Sequence, residues 1–199
     1  MLEDLVAQSV KLSGGALRVL QPRESAELPD DGGVEWAPIA PYWSVLWRSG
    51  VALALALEGL PLRGRRVVEL GCGLGMPSIA AARAGAEVLA TDSSFEALAL
   101  VERNAGENGV AVETAAVDWN APDELVRRAP FDLVLAADVL YERASVAPLL
   151  DLLPVLAPEA LTADPGRSPA DAFLEQAQRR WRLSTSIRAG VRMHRVKMD

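Results

Sequence analysis

Short apolar runs alternate with helical repeats of apolar residues from residue 42 onward. From 42 to 57 the apolar residues recur at helical spacing and Pro61 follows, which predicts one helix. Further on, the pattern predicts strands over 66–70, 87–91, 111–115, 131–136 and 160–163, and helices over 76–84, 95–108, 145–156 and 169–180. The tail differs, because two alternating segments over 183–187 and 191–195 flank a turn at 189–190 and predict a hairpin.

Alternating strands and helices with short connections predict a mostly parallel sheet that helices cover on both faces. The segment 131–136 is apolar throughout, as expected of a strand buried on both faces. We therefore predict an α/β fold of three layers, a Rossmann-like doubly wound sheet with its ligand at the carboxyl ends of the strands. Residues 1–40 contain a candidate strand at 17–20 and a turn-rich loop at 28–33. We expect them to be a lead-in that packs on a main domain over 41–199.

Composition narrows the class of protein. Half of the 199 residues are hydrophobic and 24% are charged, which is typical of a soluble globular domain. One cysteine and one histidine exclude an internal disulfide framework and argue against a zinc site. The start of the sequence lacks the features of a signal peptide, and no apolar run reaches the ~18 residues of a membrane span. We expect a cytoplasmic protein without a membrane partner.

The net charge of −7 argues against nucleic acid as a partner, because binding to phosphates requires cations. The segment 179–197 is nevertheless basic. Either its charges protect the edge of the sheet from pairing with other strands, or they form a docking face for an acidic macromolecule. The sequence leaves both interpretations open, and it does not predict an oligomeric state.

Gly71, Gly73 and Gly75 lie between a predicted buried strand and a predicted helix. Glycine permits a tight turn and lets a ligand approach the backbone, and the first N–H groups of the helix are free to bind it. A dinucleotide-binding loop has the pattern G-x-G-x-x-G, whereas Met76 occupies the third glycine position here. Glu69 adds a carboxylate beside the pocket, which disfavours a pyrophosphate and suits the ammonium group of a cationic ligand.

Asp92 ends the next predicted strand. Its carboxylate can accept hydrogen bonds from both hydroxyls of a ribose, as in NAD-dependent enzymes. A structural alternative is that Asp92 caps the following helix, although Ser93 or Ser94 would serve equally well. The loop and Asp92 together therefore predict an adenosine ribose and not a particular cofactor.

The sequence E-L-G-C-G-L-G over 69–75, followed by an acidic residue at the end of the next strand, resembles the class I, or seven-β-strand, S-adenosylmethionine-dependent methyltransferases. This resemblance implies a seven-stranded sheet in the order 3-2-1-4-5-7-6 with the last strand antiparallel. It also implies S-adenosylmethionine as the cofactor. An NAD-dependent oxidoreductase is an alternative, but it needs a proton donor, and the one histidine, His194, lies in the basic tail.

Further segments resemble the lysine methyltransferase subgroup that includes the electron-transfer-flavoprotein β-subunit lysine methyltransferase and bacterial nicotinamide N-methyltransferase-like proteins. They are D-V-L-Y at 138–141, which is similar to a D-x-x-Y motif, V-D-W at 117–119, P-Y-W-S-V-L-W at 41–47 and D-P-G-R at 164–167. The chain departs from the subgroup at Arg48, where relatives usually have proline. The resemblance implies that this difference changes the rim of the acceptor pocket.

The resemblance also implies which residues form the site. Asp138 and Tyr141 are the expected catalytic residues, because they would orient the acceptor nitrogen. The expected cofactor-binding residues are Trp47, Glu69, Gly71, Gly73, Gly75, Asp92, Ser93, Asp118, Trp119 and Ala137. Structural alternatives remain: Tyr141 as a packing residue, Trp119 as a cover of the sheet edge, and Trp43 and Trp47 as core residues on one helix face.

The expected reaction is N-methylation of a protein lysine, so the expected partner is a protein substrate. A small-molecule nitrogen is the alternative acceptor. A catalytically inactive module that only binds S-adenosylmethionine is the alternative from another functional class. No metal is expected at the site.

Overall fold

The computed structural model describes residues 3–26 and 41–198. Its strands are β1 (Leu5–Val10), β2 (Leu17–Pro22), β3 (Arg66–Leu70), β4 (Glu87–Asp92), β5 (Glu113–Ala116), β6 (Leu133–Ala137), β7 (Glu159–Asp164), β8 (Arg182–Arg188) and β9 (Val191–Lys197). Its helices are α1 (Arg23–Ala26), α2 (Arg48–Leu57), α3 (Met76–Arg83), α4 (Phe95–Glu107), α5 (Asp123–Arg127), α6 (Val146–Leu156) and α7 (Ser168–Arg180). Short 3-10 turns occur at Tyr42–Ser44 and Arg143–Ser145.

Strands β3 to β9 form one sheet in the order β5-β4-β3-β6-β7-β9-β8. The pairs from β5 through β7 are parallel, and β9 runs antiparallel to both of its neighbours. With β3 counted as the first strand, this order is 3-2-1-4-5-7-6, so the predicted fold and strand order are confirmed. The strand order reverses between β3 and β6, and ligands of such sheets bind at the carboxyl ends of the strands beside that point.

Both faces of the central strands are buried. In β3, Val67 packs into a core with α2, α3 and α4, whereas Val68 packs into a core with α5, α6 and α7. In β6, Leu133 and Leu135 lie in the first core and Val134 lies in the second. Since successive side chains of a strand point to opposite faces, a sheet covered on both sides requires apolar residues at consecutive positions.

Strands β1 and β2 form a separate antiparallel hairpin, of which the sequence predicts only a segment at 17–20. Leu17 and Val19 of β2 pack into the core with α2 and α3. Asn104 on α4 accepts a hydrogen bond from the Leu20 amide (2.7 Å) and donates one to the Leu20 carbonyl (3.1 Å), as a neighbouring strand would. The prediction missed β1, whose side chains are at most half-buried. The predicted loop at 28–33 lies outside the described residues.

The helix predicted over 42–57 is shorter, because α2 begins at Arg48. The residues before it form a 3-10 turn and an extended segment, and Trp47 is extended (φ −69°, ψ 140°). The Trp47 indole donates a hydrogen bond to the Tyr42 carbonyl (2.9 Å), which holds this segment in its turn. Trp43 and Trp47 therefore do not share a helix face, and that interpretation is wrong.

Two smaller elements also differ from the prediction. Strand β5 begins at Glu113, two residues later than the predicted 111–115, because it is an edge strand whose register depends on its pairing with β4. Helix α5 was not predicted from the sequence. It has five residues and buries only Leu125, so it is too short to produce a helical period of apolar residues.

Basic residues of the segment 179–197 form ion pairs within the chain. Arg192 bridges Asp164 (2.7 Å) and Asp171 (2.6 Å), and Arg195 pairs with Glu159. These pairs favour a structural role for the basic tail over a docking face. Among the helices that the structure describes, none is long and apolar enough to cross a membrane.

Candidate active site

A cavity of about 780 Å³ opens at the carboxyl ends of β3, β4 and β6. Its walls come from the glycine loop after β3, the loops after β4, β5 and β6, the segment before α2 and the residue before α7. The predicted site residues all line it, namely Trp47, Glu69, Gly71, Gly73, Gly75, Asp92, Ser93, Asp118, Trp119, Ala137, Asp138 and Tyr141. The fold therefore brings the whole predicted set together, while the individual roles stay predictions.

The glycine loop turns with positive φ at Gly71 (63°), Gly73 (50°) and Gly75 (79°), a conformation that other residues rarely adopt. A Cβ atom on Gly71 would lie 2.9 Å from a methyl group of Val139, and one on Gly73 would lie 3.0 Å from a backbone carbonyl oxygen before α2. A Cβ atom on Gly75 would lie 2.9 Å from both methyl groups of Val101 on α4. The first two glycines thus shape the cavity wall, and the third permits close packing of α3 and α4.

Asp92 is held against this loop by backbone amides. Its Oδ2 accepts a hydrogen bond from the Gly73 amide (3.0 Å), and its Oδ1 accepts one from the Ser94 amide (3.0 Å). Ser94 caps α4, because its hydroxyl oxygen accepts a hydrogen bond from the Ala97 amide (3.2 Å). The alternative that Asp92 caps this helix is therefore wrong. Ser93 is exposed and lines the cavity beside it.

Glu69 is almost completely buried beneath the glycine loop, with 1% of its surface exposed. Its Oε2 accepts hydrogen bonds from the Ser78 amide (2.8 Å) and from the Ser78 hydroxyl. Burial raises the pKa of Glu69 to about 8, and these hydrogen bonds only partly oppose the effect. The carboxyl group is therefore mostly protonated near neutral pH, and a cation that enters the cavity would favour loss of this proton.

Asp118 and Trp119 follow β5 on another wall of the cavity. Asp118 accepts hydrogen bonds from the Asn120 amide (2.8 Å) and side chain (3.0 Å), which lower its pKa. The Trp119 ring is half-buried, packs against the core of the α6 face and also lines the cavity. This wall therefore offers a flat ring and an ionised carboxylate side by side.

Asp138 directly follows β6 with a positive φ of 56°, a backbone conformation that a non-glycine residue adopts only when its surroundings hold it there. Its amide donates to the Ala163 carbonyl of β7 (2.8 Å). Its carboxylate is 6% exposed, forms an ion pair with Arg167 (2.9 Å) and lies 3.5 Å from the Ser49 hydroxyl. Burial raises the pKa of Asp138, and Arg167 opposes the rise.

Three aromatic rings that line the cavity lie close to one another, and one of them contacts Arg167. The Tyr141 ring lies 5.3 Å from the Tyr42 ring, which lies 6.3 Å from the Trp47 ring. The Arg167 guanidinium stacks over Trp47 at 5.8 Å. Burial and nearby carboxylates raise the pKa of Tyr141, so its hydroxyl stays neutral and can donate a hydrogen bond. The ion pair of Arg167 with Asp138 therefore adjoins a cluster of three aromatic rings.

Sequence reasoning did not assign roles to Ser78, Tyr42 and Arg167. Arg167 lies in the D-P-G-R segment and follows the carboxyl end of β7, a position that marks it as a candidate. It lies 29 residues after Asp138, so no sequence spacing indicates that the two side chains meet. The one sequence signal for Ser78 is its position in the first turn of the helix that follows the glycine loop.

The charges around the cavity are strongly biased. Among the residues that the structure describes, the ionisable acidic and basic side chains that line it are Glu69, Asp92, Asp118, Asp138, Glu142 and Arg167. Of the five carboxyl groups, Glu69 is mostly protonated and Asp138 is paired with Arg167. The excess of negative charge therefore comes from Asp92, Asp118 and Glu142, and it favours a cationic ligand over a pyrophosphate. Within residues 3–26 and 41–198, no cluster of three or more histidine, cysteine or acidic side chains is arranged to hold a metal ion.

Two curated proteins from Danio rerio are similar to this chain. Protein N-lysine methyltransferase METTL21A is 35% identical over 117 residues, which are 55% of this chain and 53% of that protein. The electron transfer flavoprotein beta subunit lysine methyltransferase is 33% identical over 140 residues, 67% of this chain and 53% of that protein. The chain thus spans about half the length of the curated relatives it matches.

A solved structure shares the fold. The T. thermophilus 16S rRNA N2 G1207 methyltransferase, in complex with AdoMet and guanosine, has a TM-score of 0.69 at 18% identity over 99% of this chain and 51% of that chain. A family model described as lysine methyltransferase matches residues 42–168. Because this match covers more than half of the sequence, the chain belongs to the lysine methyltransferase family.

Proposed function

We propose that the chain is an S-adenosylmethionine-dependent methyltransferase that methylates the side-chain nitrogen of a protein lysine. The observation that carries the proposal is that one cavity joins the glycine loop and Asp92 to Asp138 and Tyr141. The first pair suits a nucleoside, and the second suits a nitrogen acceptor. Both curated relatives described above are named as lysine methyltransferases.

The residues present fit the cofactor. Gly71 and Gly73 line the cavity without side chains, so a ligand can approach the backbone of the loop. Asp92 stands at the end of β4, where it can accept hydrogen bonds from ribose hydroxyls. Asp118 and Trp119 suit the adenine amino group and ring. Glu69, which a cation would ionise, suits the ammonium end of the same molecule.

The charge of the cavity separates this cofactor from NAD. S-adenosylmethionine carries a sulfonium and an ammonium group, whereas the pyrophosphate of NAD carries two negative charges. The excess of carboxylates around the cavity, from Asp92, Asp118 and Glu142, attracts the first and repels the second. His194, the one histidine, is buried and bonded to Asp164 (2.7 Å), and it does not line the cavity. The cavity therefore has neither the positive electrostatic potential that a pyrophosphate needs nor an imidazole that could donate a proton, and both facts argue against an oxidoreductase.

The bound cofactor supplies a methyl group that is already activated on a positively charged sulfur. The chain's own residues need only to align the acceptor, exclude water and accept a neutral nucleophile. The Asp138 carboxylate would accept a hydrogen bond from the amine and direct its lone pair into the cavity. The Tyr141 and Trp47 rings would line the aliphatic stem of the lysine.

The test is transfer of a labelled methyl group from S-adenosylmethionine into a lysate of the source organism, with mass spectrometry of the labelled species. We expect label on a protein lysine, loss of that label in Asp138→Ala, and full label in the control Asp123→Ala. Asp123 is an exposed carboxylate of α5 that does not line the cavity. Label on a small molecule would overturn the lysine acceptor. Cofactor binding without any transfer would overturn the enzymatic role.

We also propose that the chain acts in the cytoplasm. Its one cysteine, Cys72, is a free and buried thiol, which suits a reducing compartment. Fractionation of the source cells would test this, and recovery of the protein outside the cytoplasm would contradict it.

A further inference from the structure

One basic group stands among the charges of the cavity. Of the described side chains that line it, Arg167 carries the single guanidinium or ammonium group, against five carboxyl groups. It lies at the end of the cavity formed by Asp138 and Tyr141, which we call the acceptor end. The Arg167 side chain is 14% exposed and forms an ion pair with the Asp138 side chain, which is 6% exposed. A cationic residue is an unexpected neighbour for a cationic substrate such as a lysine, so its position calls for a physical reason.

The position of Arg167 is built by the fold. It precedes α7 in extended conformation (φ −74°, ψ 149°), in the turn that follows β7. Asp164 fixes that turn by accepting a hydrogen bond from the Gly166 amide (2.7 Å). Asp164 is itself held by Arg192 (2.7 Å) and by the buried His194 (2.7 Å). Hydrogen bonds from Arg192 and His194 of β9 thus fix Asp164 and the turn that carries Arg167 to Asp138.

Methyl transfer requires an amine that has lost its proton, because the lone pair attacks the methyl carbon. An isolated Asp138 carboxylate would do the opposite, since a negative charge beside an amine stabilises its ammonium form. Arg167 neutralises that charge through Oδ1 and leaves Oδ2 to accept a hydrogen bond, with the Ser49 hydroxyl 3.5 Å away. Its own positive charge disfavours a second cation in the same place.

We propose that Arg167 is a positioning and specificity-determining residue, which makes the acceptor end of the cavity take the lysine amine in its neutral form. The inference rests on the proposed function and assigns the residue that controls the protonation of its acceptor. Arg167 acts through Asp138 and through its charge, and it takes no proton itself.

Other ionisable groups surround this pair. They are Asp164 at the end of β7, Tyr141 and Glu142 in the loop after β6, Tyr42 before α2, and Arg192 of β9, which pairs with Asp164. Removal of the Arg167 charge changes the balance among them in one direction. Either Asp138 binds a proton more tightly or the amine keeps its proton to higher pH, and both effects suppress transfer at neutral pH.

The experiment measures how the rate of methylation depends on pH, from about pH 6 to about pH 10, with the protein labelled in the lysate as substrate. The enzymes compared are the parent chain, Arg167→Gln, Arg167→Lys and the control Arg195→Gln. Arg195 pairs with Glu159 at the opposite end of β7. We expect the acidic limb of kcat to move up by about one pH unit in Arg167→Gln, with about tenfold lower kcat at pH 7 and recovery at high pH. KM should stay unchanged or fall. Arg167→Lys should restore most of the profile, and Arg195→Gln should match the parent chain.

A loss of kcat that is uniform across pH, or a profile that does not move, would overturn the inference in favour of a merely structural role. If no lysate species is labelled, the proposed function fails, and a second readout still tests the pair. The pKa of the Asp138 carboxyl group, measured by carbon-13 NMR titration, should rise by about one unit in Arg167→Gln and not in Arg195→Gln. An unchanged Asp138 pKa would show that Arg167 does not control the charge of this end of the cavity.

Discussion

Substitution of Gly71 by alanine separates backbone strain from the shape of the cavity wall. Gly71 has a φ of 63°, and an added Cβ would lie 2.9 Å from the Val139 methyl group and 3.5 Å from the Trp119 ring. Gly64 provides a matched control. It has a φ of 72° at the other end of β3, and nothing lies within 4 Å of its added Cβ. The two variants therefore share the strain and differ in the contact.

The left-handed conformation costs an alanine about 1 kcal/mol, and we expect Gly64→Ala to lose that much stability. Overpacking against a buried methyl group adds about 1–3 kcal/mol, so Gly71→Ala should lose about 2–4 kcal/mol in total. For a chain of this size, each kcal/mol corresponds to a fall in Tm of about 2–4 °C. Gly71→Ala should also displace Val139 and Trp119, and with them the wall against which we expect the cofactor to bind.

The assay is thermal unfolding of both variants, followed by calorimetric titration with S-adenosylmethionine. We expect Gly71→Ala to bind at least about tenfold more weakly than the parent chain, which corresponds to about 1.4 kcal/mol. Gly64→Ala should bind as the parent chain does. Equal affinities for the two alanine variants would refute the argument that the glycine loop is shaped for this ligand.

Two further predictions concern buried polar groups. Because the pKa of Glu69 is about 8 in the folded chain and 4.5 ordinarily, the folded state holds this proton more tightly than the unfolded state. The free energy of unfolding should therefore fall as pH rises from about 5 to about 8, by up to about 1.4 kcal/mol per unit, and Glu69→Gln should remove this contribution. Asn104→Ala should cost about 3 kcal/mol in urea unfolding, since the buried Asn104 side chain bonds both backbone groups of Leu20 and the Leu74 carbonyl (3.1 Å).

Each of these predictions has a result that contradicts it. If Glu69→Gln shows the same pH dependence of stability as the parent chain, Glu69 is not the group that holds the proton. If Asn104→Ala loses no more stability than Asn120→Ala, the hydrogen bonds of Asn104 to Leu20 and Leu74 do not stabilise the fold. Asn120 is the exposed counterpart, with its hydrogen bonds to the neighbouring Asp118.

The parts of the fold that could be predicted from sequence are those in which local pattern and tertiary environment agree. β3 and β6 are apolar throughout because both of their faces are buried, and the residues of one strand divide between two cores. The glycine loop and Asp92 were recognisable because each follows a strand that could be located. The resemblance then supplied the strand order, which local pattern does not contain.

The rest depends on contacts that are remote in sequence. The segment before α2 has helical spacing but forms a turn. The Trp47 indole donates a hydrogen bond to the Tyr42 carbonyl, and side chains of the segment line the cavity. Strand β1 is stabilised by its pairing with β2 and buries too little to show a strong alternation. The ion pair of Arg167 with Asp138 joins the turn after β7 to the end of β6, and only the sheet order brings these ends together.

We propose that the carboxyl-rich cavity binds S-adenosylmethionine, with Asp92 on its ribose. Calorimetric titration with S-adenosylmethionine and with NAD, of the parent chain, of Asp92→Ala and of the control Asp123→Ala, is the decisive measurement. We predict one molecule of S-adenosylmethionine per chain, no binding of NAD, and an affinity that Asp92→Ala lowers by about tenfold or more while Asp123→Ala leaves it unchanged. Binding of NAD in preference, or undiminished affinity in Asp92→Ala, would contradict the claim.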